Sequence, residues 1–365
     1  MRLKLIAILI ALMPVLTLSS QELEWSVDMN AVFKNTESEY WGSPSNTYIF
    51  TRITPQIGVL LDSARHRIMG GVTWYQPMND HLHGYKVLPA IYYQYKDNAK
   101  GLGFKFGVIP NELNAHCPTY LRSDSINFVQ PNIKGAVFTI DKPHFFMYSW
   151  FDWRQIQTKN KREAFDVTGQ LGWKTNKENN YFSASAVLRY NHLSVSKMHY
   201  DGEGVVDNFV FCPQLFYGHW WSNTSLYFSA GMLMSFDRDR VGDNKWHTPV
   251  GFYATAQASW KWLSLTESFY AGDYQMPFYE KYGSLLYQGD PFYHNKIYSR
   301  TDLVATIFQK DFVNLEARLT FHASEDKKTA FSQQVAVRFF IDNNILKHHK
   351  NKTKGVSRLP LSPQF

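Results

Sequence analysis

The sequence predicts an all-β protein, an antiparallel transmembrane β-barrel of about sixteen strands with long external loops and short periplasmic turns. Three observations predict it. Apolar and polar residues alternate at a period of two through most of the chain, the pattern of strands with one wet and one dry face. The links between these runs are alternately short and long, as in a barrel whose turns face one side of a membrane and whose loops face the other. Finally, beyond residue 20 there is no apolar run of about eighteen residues, so a helical span is excluded on length. Only helices and closed barrels satisfy every backbone group in hydrocarbon.

The plainest alternation comes near the end of the chain. Val313, Leu315, Ala317, Leu319 and Phe321 alternate with Asn314, Glu316, Arg318, Thr320 and His322, and after a charged turn Phe331, Val335, Val337, Phe339 and Ile341 share one face of a second strand. Taken in order from the start, Leu23 to Phe33 alternate with Glu24, Ser26, Asp28 and Asn30, which fixes the register of a first strand. In the second, Ile49, Ile53, Ile57, Val59 and Leu61 oppose Tyr48, Arg52, Thr54 and Gln56. Further strands are predicted at 67–78, 86–96, 102–109, 132–141, 144–154, 164–174, 181–192, 207–218, 224–236, 247–261, 263–271 and 300–310. The run at 263–271 resists the pattern, because Glu267 shares a face with Leu265 and Phe269; a bulge or a lumen-facing apolar patch would account for it. Trp220, Trp221, Trp260 and Trp262 sit at two short turns, where an interfacial girdle belongs, although half-buried sheet positions also favour aromatics.

Three segments are predicted: a signal peptide at 1–20, the barrel at 21–341 and a basic periplasmic tail at 342–365. Arg2 and Lys4 precede an apolar run from Leu5 to Val15, with small residues before Gln21. The net charge of +7 belongs mostly to the signal and to Lys347, Lys350, Lys352, Lys354 and Arg358 of the tail. The body is nearly neutral, so no nucleic-acid partner is expected.

On the alternation, Arg52, Arg154, Arg189, Arg300, Arg318, Arg338 and Glu316 fall on the polar face and would line a pore. The link from Pro110 to Pro131 is the third long loop. In strand number, topology and loop order the chain resembles the sixteen-stranded porins. That resemblance implies that this loop folds into the lumen, with Glu112, Arg122 and Asp124 at a constriction facing the wall arginines. The alternative is that the arginines pair with Asp28, Asp152 and Glu316 simply to satisfy a polar interior. Segments such as Asp152-Trp-Arg154, Arg162-Glu-Ala-Phe165 and Gly289-Asp-Pro-Phe-Tyr293 resemble porin-like outer-membrane proteins of the Bacteroides group.

Cys117 lies in the third loop and Cys212 on a polar face. An oxidising compartment permits a bond between them, and two free thiols are the other reading. The loop 272–299 carries Tyr274, Tyr279, Tyr287 and Tyr293 among carboxylates, a composition suited to stacking on sugar rings or to packing on itself. His81, His83, His192, His199 and His247 are scattered, with no spacing that marks a base or nucleophile. The pairs Asp237/Asp239 and Asp201/Glu203 have only part of a calcium-loop spacing.

The expectation is therefore an outer-membrane channel for passive diffusion of small polar or anionic solutes, saccharides among the candidates, with no catalytic residues, no metal and no cofactor. Its expected partners are outer-membrane lipid and lipopolysaccharide and its solute, with a homo-oligomer and a periplasmic partner on the tail as further options. The alternatives are a barrel enzyme with its site at the external rim and a structural or assembly barrel.

Overall fold

The computed structural model describes residues 22–40, 42–78, 84–110, 117–177, 179–325 and 328–343. The proposed signal peptide, Glu112, His81, His83 and nearly all of the basic tail lie outside these. Alternation along the chain produces sixteen strands: β1 (Glu22–Ser38), β2 (Asn46–Leu61), β3 (His66–Pro77), β4 (Lys86–Asp97), β5 (Leu102–Pro110), β6 (Asn132–Asp141), β7 (Phe145–Gln155), β8 (Ala164–Lys177), β9 (Asn180–Leu193), β10 (Val206–Trp220), β11 (Thr224–Asp239), β12 (Val250–Trp260), β13 (Leu263–Gly272), β14 (Ile297–Lys310), β15 (Val313–Ser324) and β16 (Thr329–Asp342). Each pairs antiparallel with its neighbours, and β1 pairs with β16 from Ser26 opposite Asp342 to Ser38 opposite Ala330, closing the barrel. Closure removes every open edge, so no backbone row is left unpaired in lipid.

Parity sorts the side chains. Leu23, Ile57, Ile91 and Phe106 stand outward, 63%, 57%, 61% and 59% exposed, while Glu24, Thr54 and Gln94 on the same sheet are buried inside. Trp221, Trp260 and Trp262 are exposed at the short-turn end. The short turns are tightly built. Gly101 has φ +63°, its carbonyl accepts the N–H of Asp141 at 2.8 Å, and a Cβ there would lie 1.9 Å from the Asp141 carbonyl oxygen.

Neither account offered for Glu267 holds. β13 pairs with β12 and β14 in unbroken register, and Leu265 and Phe269 are exposed on the outer wall. Glu267 faces outward with them and accepts hydrogen bonds from Ser299 Oγ at 2.7 Å and Thr301 Oγ1 at 2.5 Å. A cross-strand pair of hydroxyls is what lets a carboxyl stand on that face. Register shifts occur elsewhere, between Thr306 and Phe308 and between Asp152 and Gln155.

Candidate functional site

Two of the long loops turn down into the barrel. From the β5–β6 loop, Tyr120, Leu121 and Arg122 are buried; from the β13–β14 loop, so are Leu286, Tyr287, Gln288, Phe292 and Tyr293. The loops bond to each other through their backbones, Ser123 N–H donating to the Gln288 carbonyl at 2.7 Å and Asp290 N–H to that of Thr119 at 2.8 Å. Gly289 permits this approach, because a Cβ there would lie 2.2 Å from the Tyr120 carbonyl oxygen.

Charges then fasten the loops to the wall. Short helix α1 (Asp124–Val129) presents Asp124 to Lys34 at 3.1 Å and Arg300 at 3.0 Å. Burial alone would raise the Asp124 carboxyl, but the cations Arg300, Lys34 and Arg318 outweigh it and hold it well below the usual carboxylate range. Arg300 also reaches Asp302 at 2.7 Å. Arg189, 2% exposed, meets Asp166 at 3.1 Å and donates to Asn191 at 3.0 Å, Gln288 Oε1 at 2.5 Å and the Leu121 carbonyl. Arg154 meets the same Asp166 at 3.2 Å and donates to the Leu285 carbonyl at 2.8 Å. Arg122 donates to Asn127, Gln288 and the Gln130 carbonyl. Beneath the loops, toward the short turns, lie chambers of about 450 Å³ and 500 Å³.

The other residues singled out from the sequence divide as follows. Arg52 on β2 stands opposite Asn30, and Arg338 forms a two-pronged pair with Asp28 at 2.9 and 3.1 Å. Glu316 accepts from Asn314 at 2.8 Å, and Asp152 accepts the backbone N–H of Lys134 at 2.9 Å rather than an arginine. Cys117 and Cys212 are not bonded: both are buried free thiols, and burial pushes the Cys117 thiol up to about 11. Nor do the loop tyrosines form an open sugar-stacking rim. Tyr287 and Tyr293 are buried, with Tyr287 donating to Asp237 at 2.7 Å and the Tyr293 hydroxyl 3.0 Å from that of Thr119, while Tyr279 donates to the Gly42 carbonyl at 3.4 Å and only Tyr274 stands exposed at 47%. The acidic pair at 237 and 239 is also spoken for, since Asp239 accepts from Lys281 at 2.7 Å and Tyr282 at 2.6 Å.

A second cluster stands on the outer wall. On β9 the lumen side belongs to Arg189, Asn191 and Leu193, so Tyr190 and His192 point out. Strand register places Phe165 opposite His192, His192 opposite Asp207 and Asp207 opposite Arg238, a row across β8 to β11 in which each residue is one short of its strand's end at the long-loop rim. His192 Nδ1 is 3.3 Å from Asp207 Oδ1; the Tyr190 hydroxyl donates to the same oxygen at 2.7 Å, and Arg240 grips Oδ2 at 2.7 and 3.0 Å. The Phe165 ring lies against the imidazole, centroids 4.9 Å apart. Arg238 lies 5.5 Å over Trp246, which is 54% exposed. A carboxylate on Nδ1–H fixes the tautomer that leaves Nε2 free to take a proton.

Sequence reasoning missed this cluster because it sent polar residues inward as a class. The available signal was parity: counted from Arg189 and Asn191, His192 falls on the outer face, and counted from Cys212, so does Asp207.

Compared with solved structures, the barrel is similar to the loop-L8 deletion variant of the outer-membrane protein OmpT of Vibrio cholerae (8% identity, 88% of this chain and 100% of that one covered, TM-score 0.55). It is also similar to OccK9 (OpdG) of Pseudomonas aeruginosa (9%, 88% and 98%, 0.53) and to an anion-selective porin from Comamonas acidovorans (11%, 88% and 99%, 0.52). These likenesses carry the fold alone. No protein of curated function matches the sequence significantly. Residues 15–348 match the profile of a family described as lipid A 3'-O-deacylase-type, which overturns the expectation that the barrel has no enzymatic role. The chain belongs to the lipid A 3'-O-deacylase-type family.

Proposed function

We propose that the protein is an outer-membrane hydrolase of a Gram-negative bacterium that removes an ester-linked acyl chain from lipid A, and that its chemistry occurs on the outer wall. The single observation carrying this is the outward dyad His192–Asp207 at the loop-side rim. There a glycolipid of the outer leaflet would bring its acyl ester to the level where hydrocarbon meets headgroup. In this reading His192 Nε2 takes a proton from water, and the water oxygen adds to the ester carbonyl. The tetrahedral adduct collapses by breaking the bond to the sugar oxygen, and His192 returns the proton to that oxygen, giving a free fatty acid and a sugar hydroxyl. Asp207 orients the imidazole and offsets its charge while it is protonated. Arg238 and Arg240, with Arg240 52% exposed, suit a phosphorylated headgroup. The test is mass spectrometry of lipid A incubated with the refolded protein in detergent. Loss of one acyl chain, abolished by His192→Ala in a barrel that still resists unfolding in cold detergent, supports the reading; an acyl pattern identical with wild type and with heat-killed protein overturns it.

The lumen favours a second role, passage of small polar or anionic solutes. Its supporting observation is the pair of polar chambers beneath the in-folded loops. Single-channel conductance in a planar bilayer tests it, with stable anion-preferring steps supporting passage and a silent folded barrel refuting it.

A further inference from the structure

Two side chains that border one chamber of the lumen, Arg318 and Tyr227, carry buried polar atoms without a hydrogen-bond partner. Arg122, Arg300 and Arg318 border the 450 Å³ chamber, as do Asp124 and Asp302. Both carboxylates are engaged by Arg300, at 3.0 and 2.7 Å, and Arg122 is spent on the loop amides and a carbonyl. Arg318 is left over: among the described residues it makes no hydrogen bond or ion pair, and its Nε is buried without a partner. Four strands around the wall, on β11, the Tyr227 hydroxyl is likewise buried, with Ser225 beside it and no hydrogen bond of good geometry. Three arginines against two aspartates leave the chamber one positive charge, and the remaining lining is hydroxyls and amides such as Ser229, Gln257 and Ser268 beside the rings of Tyr227 and Phe216.

Unsatisfied buried polar groups cost free energy and call for a partner. A guanidinium fork matches a carboxylate, aromatic faces with surrounding hydroxyls and amides match a sugar ring, and one surplus charge matches a monoanion. We infer that this chamber, facing the short-turn side of the barrel, binds a sugar acid, its carboxylate on Arg318 and its ring between Tyr227 and the hydroxyl wall. The volume admits a single ring, within the range of small-molecule sites. This site is separate from the outer-wall row and does not depend on hydrolysis there.

The test is titration calorimetry of the full-length refolded protein in detergent with D-galacturonate as probe, and with D-galactose and acetate as partial probes. Saturable galacturonate binding is expected, about tenfold or more tighter than either partial probe, since a charge-assisted hydrogen bond to the carboxylate is roughly twice as strong as a neutral one. Arg318→Gln should weaken it by about tenfold or more and Tyr227→Phe by several-fold, with His192→Ala leaving it unchanged. Galactose binding as tightly as galacturonate, or Arg318→Gln binding like wild type, overturns the assignment. Should Arg318→Gln fail to close the barrel, Arg318→Lys decides: it keeps the charge and loses the fork, so an unaltered affinity counts against the proposal and a several-fold loss supports it.

Discussion

The lumen and the outer wall hold the same kinds of side chain in opposite states of commitment. Inside, one carboxylate, Asp166, serves two arginines, and a single amide, Gln288, receives both Arg122 and Arg189. Outside, Asp207 collects Tyr190, His192 and Arg240 while the second nitrogen of the imidazole has no partner among the described residues and the arginines stand partly in the open. Density of charge is therefore a poor guide to chemistry here. A group whose every partner is protein is structural, and the proton-accepting atom left unengaged at a membrane boundary is the one available to a substrate.

The sharpest way to break that contrast is to remove the outer base. His192→Ala should lower acyl release by about 10²–10⁴-fold, the usual contribution of a general base, with unchanged resistance to thermal unfolding, measured by mass spectrometry beside gel mobility. Comparable loss from any luminal substitution would erase the distinction. Next in size, Asp166→Asn strands Arg154 and Arg189, both nearly fully buried, and should cost about 3–5 kcal/mol of stability while acyl release per folded molecule stays the same.

A smaller effect follows from pH. The Asp124 carboxyl is held below its ordinary range by Arg300, Lys34 and Arg318 against the opposing effect of burial. A depressed folded value means that its stabilisation is complete above the unfolded value of about 4 and is lost as pH falls through the lower folded one. Hydrogen exchange of residues 118–130 should stay protected from pH 7 to about pH 4 and loosen below it; loosening that begins near neutrality would place the fastening elsewhere. The smallest change is expected from Glu267→Gln on the outer wall, where one hydroxyl of Ser299 or Thr301 keeps an acceptor oxygen and the other can turn to accept from the new amide N–H, and which should shift stability by less than about 1 kcal/mol.

How much of this was legible from residues alone follows from what fixes each feature. Strand alternation and link length are local, and they were enough for the closed barrel and nearly all strand positions, because a one-residue slip would turn each apolar face the wrong way. Which arginine meets which carboxylate is a matter of long-range register. Asp166 rather than Asp152 takes the arginines because the β8–β9 register sets it opposite Asn191, diagonal to Arg189 on the same face, and no spacing along the chain announces that. The free thiols and buried tyrosines were hidden for the same reason: whether a loop points away from the barrel or into it depends on partners hundreds of positions off. The outer row was readable in part, since parity alone turns His192 and Asp207 outward; that they stand level with each other required the pairing of β9 with β10.

The amide of Gln288 has a consequence for the order of assembly. It joins Arg122, 166 positions earlier, to the second loop, so the interior cannot be packed while hairpins are still being added one by one. Contacts of such sequence separation form late and slowly. Closure of β1 on β16 joins positions still farther apart, from Ser26 opposite Asp342 to Ser38 opposite Ala330, so the setting of the interior and the sealing of the shell should both fall among the last events as the protein matures in the membrane.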